Sequence, residues 1–260
     1  MKLASIVCLS LILLVSGTVL AQKTDPPKTA APVAEKTPAA VKLPTVAEIL
    51  AKYVQAVGGR EASEKLKTRV STGTVEIPAA GLKGAIETFN AAPDKSYSST
   101  NLQGVGLLVE SYDGKTGWSV NPIQGSRDKT GQELVQAKLL ANFYREINLD
   151  KLYTKMEVKG IEKVGDADTY AVTATPEGLP QETFYFDVKT GLLVREDMTA
   201  VTPEGNSPVK AFFSDYRLTD GVNIPFKTRT VLPQFELFTI LTEVKHNAAI
   251  DDAKFAKPKP

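Results

Sequence analysis

The feature that most limits what this chain can fold into is a hydrophobic period of two. It begins near Arg69 and runs, with one interruption, to Lys245. It is clearest from Glu182 to Glu196, ETFYFDVKTGLLVRE. There Phe184, Phe186 and Val188 alternate with Tyr185 and Asp187, and Leu192 and Val194 alternate with Leu193 and Arg195. Asp187 to Gly191 supplies the turn: Asp bonds local backbone, and Gly takes the positive φ that a short hairpin loop needs. The middle of this hairpin is apolar on both faces. A sheet requires that where one face meets a core and the other meets a covering helix or an apolar ligand.

The same grammar predicts strands over 69–77, 82–91, 96–102, 105–112 and 116–121. After the interruption it predicts 155–164, 169–175, 182–188, 192–201, 208–217, 223–232 and 235–245. Turn signals at Asp113-Gly114, Gly165-Asp166, Pro176 to Pro180, Pro203 to Asn206 and Asp220-Gly221 separate them. About twelve strands at hairpin spacing predict a mainly β fold, a single antiparallel sheet that is strongly curved or closed. The alternation slips at Gly160, which predicts a bulge.

Two segments keep a helical period. Thr45-Val46-Ala47-Glu48 is a capping box before an apolar stripe of Val46, Ile49, Leu50, Tyr53, Val54 and Val57, ended by Gly58-Gly59. Glu61 to Lys67 can add a short helical turn. The interruption, Gln132 to Ile147, carries Val135, Leu139, Phe143 and Ile147, widened by Leu140 and Tyr144. A band that broad suits a helix across the sheet's concave face, either as packed core or as a movable lid.

Residues 1–21 read as a signal peptide, with Lys2, an apolar stretch from Leu3 to Val15 and a small-residue cleavage pattern ending at Ala21. The single cysteine, Cys8, lies inside it, so the mature chain is expected to have no thiol. Residues 22–44 are Pro, Ala, Lys and Thr with little to bury, and read as a disordered linker. Residues 45–260 read as one domain. Lys and Arg total 31 and Asp and Glu 30, so loss of Lys2 leaves 30 against 30. A neutral chain argues against nucleic acid as a partner and against strong attachment to anionic membranes. No later apolar run approaches the roughly 20 residues of a spanning helix. The expectation is an exported protein, periplasmic or secreted, monomeric, with no transmembrane segment.

Covalent chemistry is hard to build from what remains. With one histidine, His246, and no mature cysteine, a His-His or Cys-His metal site is ruled out. No nucleophile elbow, phosphate-cradling loop or dinucleotide fingerprint is present, so no cofactor is called for. His246 is expected as an ordinary surface or edge residue. Asp113, Asp187 and Asp220 fall at turns, where Asp bonds backbone. Asp215 is expected to pair with Arg217, Arg229 or a neighbouring strand. Trp118 fits core filling and a ligand wall equally.

At Tyr112 to Pro122, YDGKTGWSVNP, the sequence resembles periplasmic lipoprotein carriers of the LolA/LolB type, in which an aromatic and Asp-Gly-Lys lead into a Trp-containing strand. The FDxxTGLLxRE hairpin, DYRLTDGVNIPF and the closing segment from Asn247 to Pro258 resemble the broader LolA-like group of exported proteins. The resemblance implies an unclosed β-barrel whose concave apolar face, covered by an N-terminal and an inserted helix, holds acyl chains. No lipid-attachment cysteine and no cargo-gating stretch can be matched. The first function expected is a non-enzymatic carrier or sensor of an apolar ligand, such as a lipid or lipoprotein acyl chain. Its wall residues would be Trp118, Phe143, Phe184, Phe186, Phe212 and Phe226. The alternative is a structural or envelope protein-interaction module whose barrel is filled by its own side chains; an enzyme working through carboxylates ranks third.

Overall fold

A computed structural model describes residues 42–122 and 125–258. The expected signal peptide and residues 22–41 of the expected linker lie outside the described residues. Order starts at the predicted capping box: Thr45 Oγ1 accepts from the Glu48 amide (3.2 Å) and Glu48 Oε2 accepts from the Thr45 amide (2.7 Å). Helix α1 (Val46–Ala56) follows and buries Ile49, Leu50 and Tyr53. Its C-terminal carbonyls are capped from a distance, by the Asn223 backbone on Val57 (3.0 Å) and the Asn223 amide side chain on Ala56 (2.7 Å). Gly58 makes that approach feasible, since a Cβ there would stand 2.2 Å from the Gly221 carbonyl oxygen. Helix α2 (Arg60–Glu64) is one short turn.

Six strands then run as a meander: β1 (Thr68–Ile77), β2 (Leu82–Ala91), β3 (Lys95–Leu102), β4 (Gly106–Tyr112), β5 (Gly117–Asn121) and β6 (Gly125–Asp128). Helices α3 (Gly131–Ala141) and α4 (Leu149–Leu152) precede a second meander of β7 (Tyr153–Val164), β8 (Ala167–Pro176), β9 (Glu182–Asp187) and β10 (Leu193–Thr202). It continues through β11 (Gly205–Thr219), β12 (Val222–Val231) and β13 (Glu236–His246). All form one antiparallel sheet in the order β6-β5-β4-β3-β2-β1-β13-β12-β11-β10-β9-β8-β7. Every neighbouring pair but one is also adjacent in sequence. The exception, β1 on β13 from Arg69↔His246 to Glu76↔Phe238, joins the two meanders. The sheet does not close, and β6 and β7 are its two edges.

That order fixes the role of the insertion. The link from β6 to β7 must pass from one edge of the sheet to the other, so residues 129–152 form a strap across the concave face. Helix α3 meets β4 and β5 on one side and β10 on the other. The strap is not the single helix expected over 132–147. It stops at Ala141, where the Phe143 amide donates to the Pro93 carbonyl (2.9 Å) and the Asn142 side chain accepts from the Tyr144 amide (3.1 Å). A 3-10 turn at Arg145–Ile147 and α4 complete it. Strand β6 was not anticipated, because Gly-Ser-Arg-Asp has no apolar alternation and is held by backbone pairing to β5. The register shift at Val158/Gly160 is the expected bulge.

In the hairpin from Glu182 to Glu196, Phe184 and Phe186 are 0% and 1% exposed beneath α1. On the opposite face no helix among the described residues covers the hairpin. Arg195 lies over Tyr185 (4.5 Å) and Phe212 (5.5 Å), an apolar stem and flat guanidinium closing the outer surface. The hairpin's turn and the β4–β5 turn share the sequence Asp-x-Lys-Thr-Gly and the same aspartate cap. Asp187 Oδ1 accepts from the amides of Lys189 (2.9 Å) and Thr190 (2.6 Å). Asp113 Oδ1 accepts likewise from Lys115 (2.8 Å) and Thr116 (2.6 Å). Lys52 of α1 donates to the Val188 carbonyl (2.7 Å), so the first of these turns also seats the helix. Asp187→Ala is expected to destabilise the protein by about 1–3 kcal/mol, the scale of charged hydrogen bonds lost in a partly buried turn. Asp187→Asn, which keeps one acceptor oxygen, should cost less; urea unfolding of the two variants measures the difference.

Candidate functional site

Where the strap crosses between α1 and the sheet seam, it leaves a half-enclosed cleft of about 140 Å³. Tyr53 comes from α1 and Val57 from its C-cap, Arg69 from β1, Phe143 to Ile147 from the strap, Phe213 and Tyr216 from β11, and Val222 to Pro225 from β12. A void of about 150 Å³ is enough for a benzene-sized ring. A more open groove of about 420 Å³ lies between α1 and α4, with an apolar wall of Ala47, Leu50, Ala51, Val54 and Leu149 and with Gln55, Arg60 and Asp150 also lining it. Glu146 and Ile147 line both openings.

Polar groups at the cleft are mostly bonded to the frame. Tyr216 OH donates to the Leu193 carbonyl (2.6 Å), and Tyr144 OH donates to the Leu66 carbonyl (2.9 Å). Burial pushes the Tyr53 and Tyr216 phenols up, so both are neutral over the physiological range. Among the described residues no group of three or more His, Cys, Asp or Glu side chains is placed to hold a metal ion.

Behind the cleft the strap is fastened by a buried ionic cluster. Arg145 Nη2 donates to Glu196 Oε1 (2.5 Å) on β10 and reaches Glu182 Oε2 (3.4 Å) on β9 and Tyr153 OH (2.7 Å) on β7. Tyr153 OH in turn donates to Glu182 Oε2 (2.5 Å). Glu182 and Glu196 are 2% and 4% exposed. The guanidinium lies over the Phe184 ring (5.4 Å), and its Nε is buried without a hydrogen-bond partner among the described residues. Gln136 adds a second fastening on α3. Its amide donates to the Thr199 carbonyl (2.8 Å) and accepts from the Val201 amide (2.9 Å), serving the edge of β10 that extends past β9.

The six aromatic residues expected on one wall are divided. Phe184 and Phe186 pack with Tyr53 in the main core, and Phe143 and Phe226 share the adjoining cluster. Phe143 also lines the cleft. Trp118 faces the other way. Gly117 beside it meets Leu134 of α3, so Trp118 turns to the outer face, where its indole donates to the Phe255 carbonyl (2.9 Å) beneath the C-terminal segment. Phe212 is likewise outside, between Arg195 and Arg229 (5.5 and 4.7 Å). Period two fixes that neighbours on a strand face opposite ways but not which set faces in, and Trp118 and Phe212 lie on the face opposite the other four.

Asp215 pairs with Arg217 (2.6 Å), as expected. His246 departs from its expected surface role: its side chain is 1% exposed and is held by Asp220 and Arg69. The residues that sequence reasoning missed are Arg145, Glu182, Glu196 and Tyr153. The one available signal was polarity in the wrong place, since Glu182 and Glu196 flank an otherwise apolar hairpin.

Burial raises the Glu182 carboxyl more than Arg145 and Tyr153 lower it, so the fold holds this proton more tightly than the unfolded chain does. Its stabilising share is full below the ordinary carboxylate range and is lost as pH rises through the raised folded value. Glu182→Gln keeps an acceptor for Tyr153 and relieves the crowding of two carboxylates on one guanidinium. It is expected to leave stability at pH 7 unchanged or higher and to flatten the decline from mildly acidic to neutral pH. Glu196→Gln strips the closest counter-charge from Arg145 and should cost about 3 kcal/mol. Thermal unfolding across this pH range tests both.

No protein-family model and no curated protein matches the sequence. Solved structures do resemble the chain. A DUF1329 family protein from Desulfovibrio piger is 16% identical over 81% of this chain and 97% of its own, with a TM-score of 0.55. A LolA superfamily protein from Nitrosomonas europaea is 12% identical over 83% and 99%, with a TM-score of 0.54. A putative outer membrane lipoprotein-sorting protein domain from Vibrio parahaemolyticus is 11% identical over 80% and 94%, with a TM-score of 0.53. At these identities the likeness concerns architecture, and the architecture of this chain is the LolA-like fold, an unclosed antiparallel sheet with helices across its concave face.

Proposed function

We propose that this protein is an exported, non-enzymatic carrier or sensor of an apolar ligand, a lipid or the acyl chain of a lipoprotein. One observation carries the reading: an apolar groove within the usual size of ligand pockets meets an interior cleft at a single turn of the strap, Glu146 and Ile147. One solved structure of this fold is described as a putative outer membrane lipoprotein-sorting protein domain, which supplies the ligand class. No helix among the described residues is long and apolar enough to cross a membrane.

The interior as it stands admits a ring-sized group, so an acyl chain enters when the strap lifts. Burial of each CH₂ contributes about 0.8 kcal/mol, and a dozen carbons provide enough to offset that opening. Helix α1 is the fixed wall, capped at one end by Thr45 and Glu48, tied at mid-length by Lys52 and closed at the other end by Asn223. In this reading Phe143, Phe184, Phe186 and Phe226 face the chain once the strap is raised. The second reading, a module filled by its own side chains, draws on the near-complete burial of Phe184 and Phe186.

The readings part on two alanines. Ala51 lines the groove and is exposed, whereas Ala141, at the end of α3 in the strap, is 2% exposed. Ala51→Leu is expected to weaken binding of the neutral probe 1-N-phenylnaphthylamine with little change in melting temperature. Ala141→Leu should overpack the interior and cost about 1–3 kcal/mol. Absence of probe binding in the unaltered protein, or a loss in Ala51→Leu that only follows lost stability, favours the filled module.

A further inference from the structure

His246 sits on the seam between the two meanders, opposite Arg69 in the β1–β13 register. Both ring nitrogens are committed. Nε2 accepts from Arg69 Nε (3.1 Å), so the ring proton must be on Nδ1, directed at Asp220 Oδ2 (3.0 Å) in the β11–β12 turn. The geometry requires a neutral imidazole. A second proton would set one N–H against another and a cation against a guanidinium, within a side chain that is 1% exposed.

The Arg69 side chain also reaches the strap. Its Nη1 lies 3.7 Å from Glu146 Oε1, and its guanidinium lies over the Phe143 ring at 5.7 Å. Arg69, Phe143 and Glu146 are also walls of the cleft. The charged groups facing His246 are thus Asp220 from the β11–β12 turn and Arg69 from β1, with Glu146 of the strap behind Arg69. Asp220 is 58% exposed and can follow an imidazolium, whereas Arg69 can only leave.

We propose that His246, through Arg69, is a proton-operated catch on the strap, so that acidification frees the Glu146–Phe143 side of the cleft. The coupling rests on the carrier reading for its purpose, but the catch itself is a property of the fold. Burial, set against the pull of Asp220, lowers the imidazole from its ordinary value near 6.5. The group therefore stabilises the closed form at neutral pH, and that share is lost as pH falls through the lowered folded value.

His246 is the one histidine of the chain, so its imidazole gives a single titrating NMR signal in untagged protein. The test is amide hydrogen exchange over residues 142–152, corrected for chemical exchange rates, at pH 7.5 and at about pH 5. In the unaltered protein protection of this segment should be lost between the two pH values, with the midpoint of the imidazole titration. His246→Gln offers Arg69 a neutral acceptor at every pH and should stay protected throughout. Arg69→Met should be unprotected at both pH values. An unchanged exchange rate in the unaltered protein, or the same step in His246→Gln, overturns the catch. Binding of 1-N-phenylnaphthylamine on the same samples separates the two ideas. An exchange step without probe binding retains the catch and removes the carrier reading, while probe binding without an exchange step does the reverse.

Discussion

The pairing of β1 with β13 is the constraint on which the rest depends. Without it the chain is two meanders, each a run of sequence-local hairpins. With it they become one sheet whose two free edges, β6 and β7, are consecutive in sequence. The chain must then cross the open side to connect them, and the crossing segment covers the concave face. The strap is thus a consequence of strand order. The cost is entropic, since this pairing closes the longest loop in the fold before its contacts repay it.

The two covers of the concave face are held in different ways. Helix α1 is fastened along its length, by its capping box, by Lys52 on the Val188 carbonyl and by Asn223 on its last carbonyls. The strap relies on side chains: Arg145 on Glu196 and Glu182, Gln136 on the edge of β10, and Glu146 on Arg69. A buried pair of carboxylates around one guanidinium is poor evidence for stability, because desolvation offsets most of its attraction. What it does is tie the strap to β9 and β10 at one buried point.

Much of this was legible in the sequence. The period of two, the turn dipeptides and the capping box specify sheet, connectivity and first helix through local chemistry, and resemblance supplied the open barrel. The strand count fell short at β6, where Gly-Ser-Arg-Asp pairs by backbone alone. The strap was read as one helix because its apolar band continues past Ala141, while the Pro93 carbonyl that breaks it is distant in sequence. Sidedness was not legible for Trp118 and Phe212, since the outer face also buries apolar rings, under Phe255 in one sector and under Arg195 in the other. The ionic cluster and the His246 contacts were invisible, because their members are brought together only by the finished sheet.

The claim that the strap is the moving cover is tested most directly by a distance across it. Spin labels at Lys138→Cys on α3 and Lys210→Cys on β11, both exposed, can be placed in a Cys8→Ser background that leaves no other thiol. Pulsed electron resonance should give one distance in the ligand-free protein and a second, longer population when dodecanol is added to saturation. An unchanged single distance in protein that binds dodecanol would contradict the account, leaving the strap as a fixed part of the core.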